Sequence, residues 1–211
     1  MHLTLKSPLP GPLAQSEMAS AQRMPSVLGD VPQKAVEAAV LALLFPTNEG
    51  RNTCELMDWA VLLIRRTSYV GVHSGQIAFP GGKREGEDKD HWGTACRETH
   101  EEVGISDTHL QRIGELTRLY VPASNFVIYP FVALVLPGAT LTIDPREVVE
   151  YRQIPLRVLD PAKAVLLDFN YEGGKRPAPA WQYGSFTIWG ATAMMLAEVY
   201  RTVDQGLLVR E

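Results

Sequence analysis

The stretch Ser74–Ile105, SGQIAFPGGKREGEDKDHWGTACRETHEEVGI, limits the fold more than any other part of the chain. An apolar approach ends in a glycine pair, Gly81 and Gly82, and a charged connector then leads into His91–Val103, which reads as a helix. Gly104 is its stop, because glycine takes the left-handed conformation of a helix C-terminus without strain. A strand-like segment, a tight loop and a helix must therefore follow one another here.

The helix is unusual in where it puts its acids. Each helical residue advances about 100°, so with Glu98 at zero, Glu101 falls at about −60° and Glu102 at about +40°. Trp92, Cys96 and Val103 gather at roughly 120–160°, as an apolar stripe beside the acids. The carboxylates thus lie at the edge of a core. Glu98 repels both Glu101 and Glu102, at a cost of about a few tenths of a kcal/mol per pair. Arg97, four residues before Glu101, offsets part of that. A helix selected for stability alone would alternate its charges. Carboxylate oxygens converging from one face are what a hard divalent cation requires. A solvated acidic face would show the same triplet, so the helix alone does not decide. The loop adds weight, since Gly81 and Gly82 let backbone approach a ligand closely, although a plain turn needs glycines too. Neither GxxxxGK[ST] nor GxGxxG occurs, which excludes the common nucleotide-binding loops.

The 211 residues are 45% hydrophobic and 21% charged, with a net charge of −4. One soluble domain with extensions is the expectation, with no general attraction to nucleic acid or anionic membrane. Cys54 and Cys96 form no CxxC pair, which argues against a disulfide scaffold or a zinc site. The N-terminus lacks a signal-peptide core, and the most apolar run, residues 38–45, is too short to span a bilayer. A cytoplasmic protein is expected.

Residues 1–33, with Pro8, Pro10, Pro12, Pro25 and Pro32, read as an extended N-terminal arm with a helical turn near Ala14–Gln22, and residues 34–211 as one domain. Lys34–Phe45 is helical by propensity, with a strand equally open for its later half. Trp59–Ile64 reads as a buried strand that pairs with it as a hairpin through TNEGRNTCE. Ile113–Val121 and Asn125–Leu136 read as strands, Pro130 marking an edge or a bulge. Glu147–Ile154 reads as a strand, Pro155–Ala164 as a short helix, Phe186–Trp189 as a strand end and Gly190–Val203 as a helix. Intermixed strands and helices imply an α/β or α+β sandwich.

Arg97, Glu98, Glu101, Glu102, Gly104 and Ile105 resemble the second half of the Nudix hydrolase box. Thr99 stands where that box usually has an aliphatic residue. The first half, counted from Gly82, is one residue longer than usual, with Asp88 where the first Glu is expected. The longer spacing resembles the coenzyme A pyrophosphatase subgroup. So does the upstream run Leu62-Leu63-Ile64-Arg65-Arg66-Thr67, then Gly71, Gly75 and Phe79-Pro80-Gly81-Gly82. Ile64, Thr67 and Gly71 depart from that pattern, Gly71 replacing an arginine. The IWGATA of Ile188–Ala193 and the arm's LPGPLAQSEMA are also similar to that subgroup.

The resemblance implies a Nudix-type α/β/α sandwich on a mixed β-sheet. It implies hydrolysis of the pyrophosphate linkage of a nucleoside diphosphate derivative, foremost coenzyme A or acyl-CoA, giving 3′,5′-ADP and (acyl-)4′-phosphopantetheine. It implies Mg²⁺ or Mn²⁺ on Glu98, Glu101 and Glu102, with the carbonyl of Gly82 or Gly81 as a further ligand, and Arg97 orienting the acids. Glu147 is preferred over Glu150 as general base; three residues apart on a strand, the two face opposite sides. Arg65, Arg66, Gly81, Gly82 and Lys83 are the expected substrate contacts. His73 and His100 receive no role, and Cys96 reads as an inert core thiol. The alternatives are a Nudix hydrolase for ADP-ribose or a dinucleotide, which Gly71 favours, and a non-catalytic nucleotide-binding module, against which the retained acids speak. Expected partners are a small nucleotide substrate and a second copy in a homodimer, without nucleic acid or membrane.

Overall fold

The structure, a computed structural model, describes residues 3–46, 55–67, 75–171 and 174–210. Cys54, Gly71, His73 and most of the expected hairpin connection lie outside them. The arm carries β1 (Leu3–Leu5), α1 (Gly11–Ser16) and α2 (Met24–Leu28). Next come β2 (Val36–Phe45), β3 (Ala60–Arg66), β4 (Ile77–Ala78), β5 (Gly81–Lys83) and α3 (His91–Val103). β6 (Leu110–Glu115), β7 (Leu119–Val121), β8 (Phe126–Val135) and β9 (Val148–Pro155) follow. The chain ends with β10 (Val165–Tyr171), β11 (Gly174–Tyr183), β12 (Phe186–Trp189), α4 (Gly190–Asp204) and β13 (Leu208–Arg210).

The main sheet runs β4-β3-β2-β8-β6 and is mixed: β2 and β8 are parallel from Val36↔Phe126 to Leu44↔Leu134. β3 meets β2 only at Leu44↔Val61 and Phe45↔Ala60, then diverges and pairs with β9. β5 fills the fork, pairing Ala38↔Lys83, Ala39↔Gly82 and Val40↔Gly81. The glycine loop is thereby wedged between two splayed strands.

Strand alternation sends Ala39, Leu41, Leu43, Leu62, Ile64, Phe131 and Ala133 to the side where α3 packs with Ala95, Cys96 and Val103. Ala42, Leu44, Val61, Leu63, Val132 and Leu134 go to the other side, against Ala193, Met194 and Ala197 of α4. Each buried Leu or Ile contributes about 1.5–3 kcal/mol of transfer free energy. The result is an α+β architecture with one helix on each face of a mixed sheet.

Several local expectations change. Lys34–Phe45 is strand from Val36 onward, and not helix. A strand covered on both faces is apolar throughout, so the period that separates strand from helix is lost. Ile113–Val121 is broken into β6 and β7, with a register shift between Arg112 and Gly114. Pro130 lies in an inner strand, but where the antiparallel partner is interrupted: Leu116 N–H reaches the Pro130 carbonyl at 2.8 Å. Pro155–Ala164 forms two single 3₁₀ turns, Leu156–Val158 and Pro161–Lys163, because Pro161 cannot continue the first. Pro177 and Pro179 hide the β10–β11 hairpin in the sequence, and they sit where β11 has β10 alone as neighbour among the described residues. α3 begins and ends as expected. Asp90 Oδ1 accepts from Gly93 N–H at 2.7 Å, and Gly104, at φ 75°, donates to His100 O at 2.9 Å.

Candidate active site

α3 presents its acids at graded depth: the side chain of Glu101 is 47% exposed, Glu98 12% and Glu102 0%. The fork between β2 and β3 explains the grading, because the glycine loop covers Glu102 and leaves Glu101 outside. Gly81 N–H donates to Glu102 Oε2 at 2.9 Å. Gly81 has φ 147°, and a Cβ there would run into Ala39 O and Val40 Cα of β2. A Cβ on Gly82 would overlap the Glu98 carboxylate. Each glycine therefore makes room for one acid, Gly81 by its backbone course and Gly82 by its missing side chain.

Two arginines stand among the acids. Arg66 Nη1 lies 2.7 Å from Glu102 Oε1, but its N–H is aligned with Gly81 O at 3.1 Å. Glu102 Oε1 is consequently buried without an aligned hydrogen bond among the described residues. Arg97 grips Asp88 with Nε and Nη2, at 2.9 and 3.1 Å, and Nη2 also donates to Lys83 O at 3.1 Å. Its Nη1 sits 3.0 Å from both Glu98 Oε1 and Glu101 Oε2. Arg97 thus joins the loop, the connector and the helix, as a bidentate guanidinium does best. Asp88, which sequence left without a role, is the anchor: it also accepts from Glu85 N–H and Thr94 Oγ1, each at 2.9 Å. The Arg97 guanidinium holds the Asp88 carboxyl well below the usual range.

Burial acts the other way on the inner acids. It raises the Glu98 carboxyl and pushes Glu102 to about 7, against the pull of Arg66 and Gly81 N–H and helped by the like charges of Glu98 and Glu147. Cys96, on the buried stripe, is pushed up to about 12 by burial, as befits an inert thiol.

The neighbouring candidates separate cleanly. Arg65 is on the α4 side, where its Nε donates to Glu150 Oε1 at 2.8 Å, its Nη2 to Ser185 O at 2.7 Å and its guanidinium lies over Phe186. Glu150 is held there by Arg65 and Arg152, each at 2.8 Å. Glu147 is on the α3 side, near enough for its charge to act on Glu102. Lys83 is exposed at the rim of a cleft of about 490 Å³ that opens beside Gly81 and Gly82 and also touches Arg66.

Among the described residues no trio of carboxylate, imidazole or thiol groups converges closely enough to hold an ion as the side chains stand. The guanidinium groups of Arg66 and Arg97 occupy that space. The donor set nevertheless suits a hard divalent cation: an underused buried oxygen on Glu102, the Glu98 carboxylate against a bare Cα, and backbone carbonyls beside both.

A model of the Nudix domain matches residues 37–177. The NudL protein of Photorhabdus laumondii, named as an uncharacterized Nudix hydrolase, is 33% identical over 145 residues, covering 68% of this chain and 77% of its own. NudL of Yersinia enterocolitica is 34% identical over 145 residues, covering 68% and 74%. Among solved structures, the Nudix hydrolase RenU of M. smegmatis has a TM-score of 0.54 at 16% identity, covering 84% of this chain and 90% of that one, a likeness of fold. The acid-bearing helix, its glycine loop and these matches lead to one conclusion: the chain belongs to the Nudix family and is a pyrophosphohydrolase.

Proposed function

We propose that the chain hydrolyses the pyrophosphate linkage of coenzyme A or its acyl thioesters, with Mg²⁺ or Mn²⁺, releasing 3′,5′-ADP and (acyl-)4′-phosphopantetheine. The observation that carries this reading is the fully buried Glu102, hydrogen-bonded by the glycine loop at one oxygen and facing only the Arg66 cation at the other, beside a largely apolar cleft. The anhydride would lie at Gly81 and Gly82, and the uncharged part of the substrate in the cleft. The one-residue-longer box and the run from Leu62 to Gly82 support coenzyme A over other nucleoside diphosphates.

Glu98 and Glu102 would hold the cation, with Glu101 at the solvent edge and the Gly82 or Gly81 carbonyl beside them. When bound, a divalent ion neutralises pyrophosphate oxygens and makes coordinated water a better nucleophile. Arg97 keeps Glu98 and Glu101 in register with the loop, so it positions the acids rather than touching substrate. Glu147 would take the proton of the attacking water; its charge reaching Glu102 and the pairing of Glu150 with Arg65 and Arg152 support that choice. Arg66 and Lys83 supply positive charge at the glycine end of the cleft. Arg65 is paired with Glu150 and Ser185, which speaks against a substrate contact.

A substrate panel tests the reading: coenzyme A, acetyl-CoA, ADP-ribose and a diadenosine polyphosphate, each with Mg²⁺ and with Mn²⁺. The expected result is the highest kcat/KM on coenzyme A or acetyl-CoA, with 3′,5′-ADP as product. ADP-ribose ahead of coenzyme A by tenfold or more in kcat/KM overturns it.

A further inference from the structure

The floor of the cleft is the α4-facing side of four neighbouring strands. Ala38 of β2 pairs with Lys83 of β5 and with Ile128 of β8, and Ile128 pairs with Leu119 of β7. Neighbouring strands lie about 4.8 Å apart, so β5 and β7 are about 14 Å apart across this floor. Alternation along β5 turns Gly82 toward Glu98 and Lys83 toward the cleft. The β7 end is closed by the N-terminal arm, through Met18, Ser20, Gln22 and Arg23. The arm is tied in place. Gln15 Nε2 donates to Glu198 Oε2 and to Thr117 O, both at 2.8 Å. Glu17 receives Arg201 through Nε and Nη2, at 2.9 and 2.7 Å. Met18 and Ser20 are 1% and 5% exposed. A segment fixed at several points is a wall and not a lid.

The wall brings a cation of its own. Arg23 Nη2 donates to Tyr120 O of β7 at 2.7 Å, which fixes the guanidinium at the β7 end of the floor. Arg66 and Lys83 stand at the opposite, glycine end. No acid is among the described lining residues, so Arg23, Arg66 and Lys83 are the charges that this lining presents. A cleft lined by one sign of charge concentrates the opposite sign. Between its two ends the lining is apolar, with Val40, Phe126, Ile128 and Trp189. The cations at the glycine end answer to the anhydride. Arg23 does not, because a charge-assisted hydrogen bond needs contact at about 2.7–2.9 Å, and an anhydride over Gly82 does not reach a guanidinium held at Tyr120. An arginine fork matches the oxygens of a phosphate. This pattern fits a ligand with two separate anionic groups joined by an uncharged body.

We infer that Arg23 is a specificity-determining residue of the active site, binding a second phosphate that the substrate's nucleoside carries away from the anhydride. The inference rests on the proposed substrate reading, in which that group is the 3′-phosphate of coenzyme A. Its test uses the full chain with Mg²⁺ and the variants Arg23→Gln and Arg23→Lys. Steady-state kinetics compare coenzyme A with dephospho-coenzyme A, which lacks only the 3′-phosphate. Calorimetry compares 3′,5′-ADP with 5′-AMP and gives a readout free of turnover. Wild type is expected to favour coenzyme A by about tenfold or more in kcat/KM, chiefly through KM, because this contact is equal in ground and transition states. In Arg23→Gln the preference falls to about twofold or less, and 3′,5′-ADP binds about tenfold more weakly. Arg23→Lys, which keeps the charge but not the fork, retains a preference of about threefold. An arginine that only held the arm on Tyr120 would, when replaced by glutamine, weaken both substrates alike, and that equal loss overturns the inference. So does a wild type that binds 3′,5′-ADP and 5′-AMP alike. A wild type that leaves coenzyme A intact overturns the substrate reading, while 3′,5′-ADP against 5′-AMP still decides on Arg23.

Discussion

Glu102 on α3 and Glu198 on α4 are both fully buried, and burial raises both carboxyls above the ordinary range. What meets their oxygens differs. Glu198 Oε1 accepts from Thr117 N–H at 3.1 Å and Thr117 Oγ1 at 2.7 Å, while Oε2 accepts from Gln15 Nε2 at 2.8 Å. Glu102 has one hydrogen bond, from Gly81 N–H, and its other oxygen faces a guanidinium aligned elsewhere, with Glu98 and Glu147 as like charges nearby. A buried acid with every oxygen hydrogen-bonded fastens elements together; one with a single hydrogen bond, a mobile-ended arginine and like charges around it is what a cation site looks like before the cation arrives. Glu198 fastens the arm to α4, and Glu102 is the acid we propose for the chemistry.

The largest effects should fall on opposite properties. Glu102→Gln is expected to lower kcat at least about a hundredfold, equivalent to about 2.7 kcal/mol, while the thermal melt stays at or above that of wild type. Glu101→Gln should act in the same direction. Unchanged turnover in both would remove α3 from catalysis, and a protein that simply melted would make its acids structural. Glu198→Ala should do the reverse. It strands Gln15 Nε2 and Thr117 N–H, so urea unfolding should show a loss of about 2–4 kcal/mol, with kcat at saturating substrate within about threefold of wild type.

The pH dependence sharpens the same contrast. A raised carboxyl keeps its proton in the folded state after the unfolded chain has released it. Stability of the metal-free protein should therefore fall as pH rises from about 4.5, the ordinary value, to about 7, the Glu102 value. The Glu198 shift has the same sign. Glu102→Gln should flatten the Glu102 part of that fall, seen as a smaller difference between urea midpoints at pH 5 and pH 8 in the absence of divalent ions. A steeper fall in the variant would contradict the assignment. The smallest effect is reserved for Thr99, fully buried with a hydroxyl unpartnered among the described residues. Thr99→Val should stabilise by about 1 kcal/mol or less with kcat unchanged, since the shape is kept and an unpaired polar group is removed.

Those differences also show what was readable beforehand. The helix His91–Val103 and its glycine stop were legible because capping and periodicity are local. The acid arc was legible for the same reason, but its grading was not: Glu102 is buried by a loop wedged into a strand fork, which is a tertiary event. Alternation along a strand does not separate Glu147 from Glu150, because Glu147 stands in the turn before β9 and the β3–β9 register shifts between Arg65 and Arg66; the turning of Arg65 onto Glu150 likewise needed that register. In the sequence Glu198 is one acid within an apolar helical run, and Ser20 is one residue of a proline-rich arm. Nothing local announces that distant segments will enclose them. Asp88 sat at an unexpected spacing, and only the Arg97 contact gives it a task.

The most direct test is Mn²⁺ binding, followed by electron paramagnetic resonance on wild type, Glu102→Gln and Glu198→Gln. The prediction is that wild type and Glu198→Gln bind alike and that Glu102→Gln loses affinity by at least about tenfold. Equal Mn²⁺ binding by all three proteins would contradict the account.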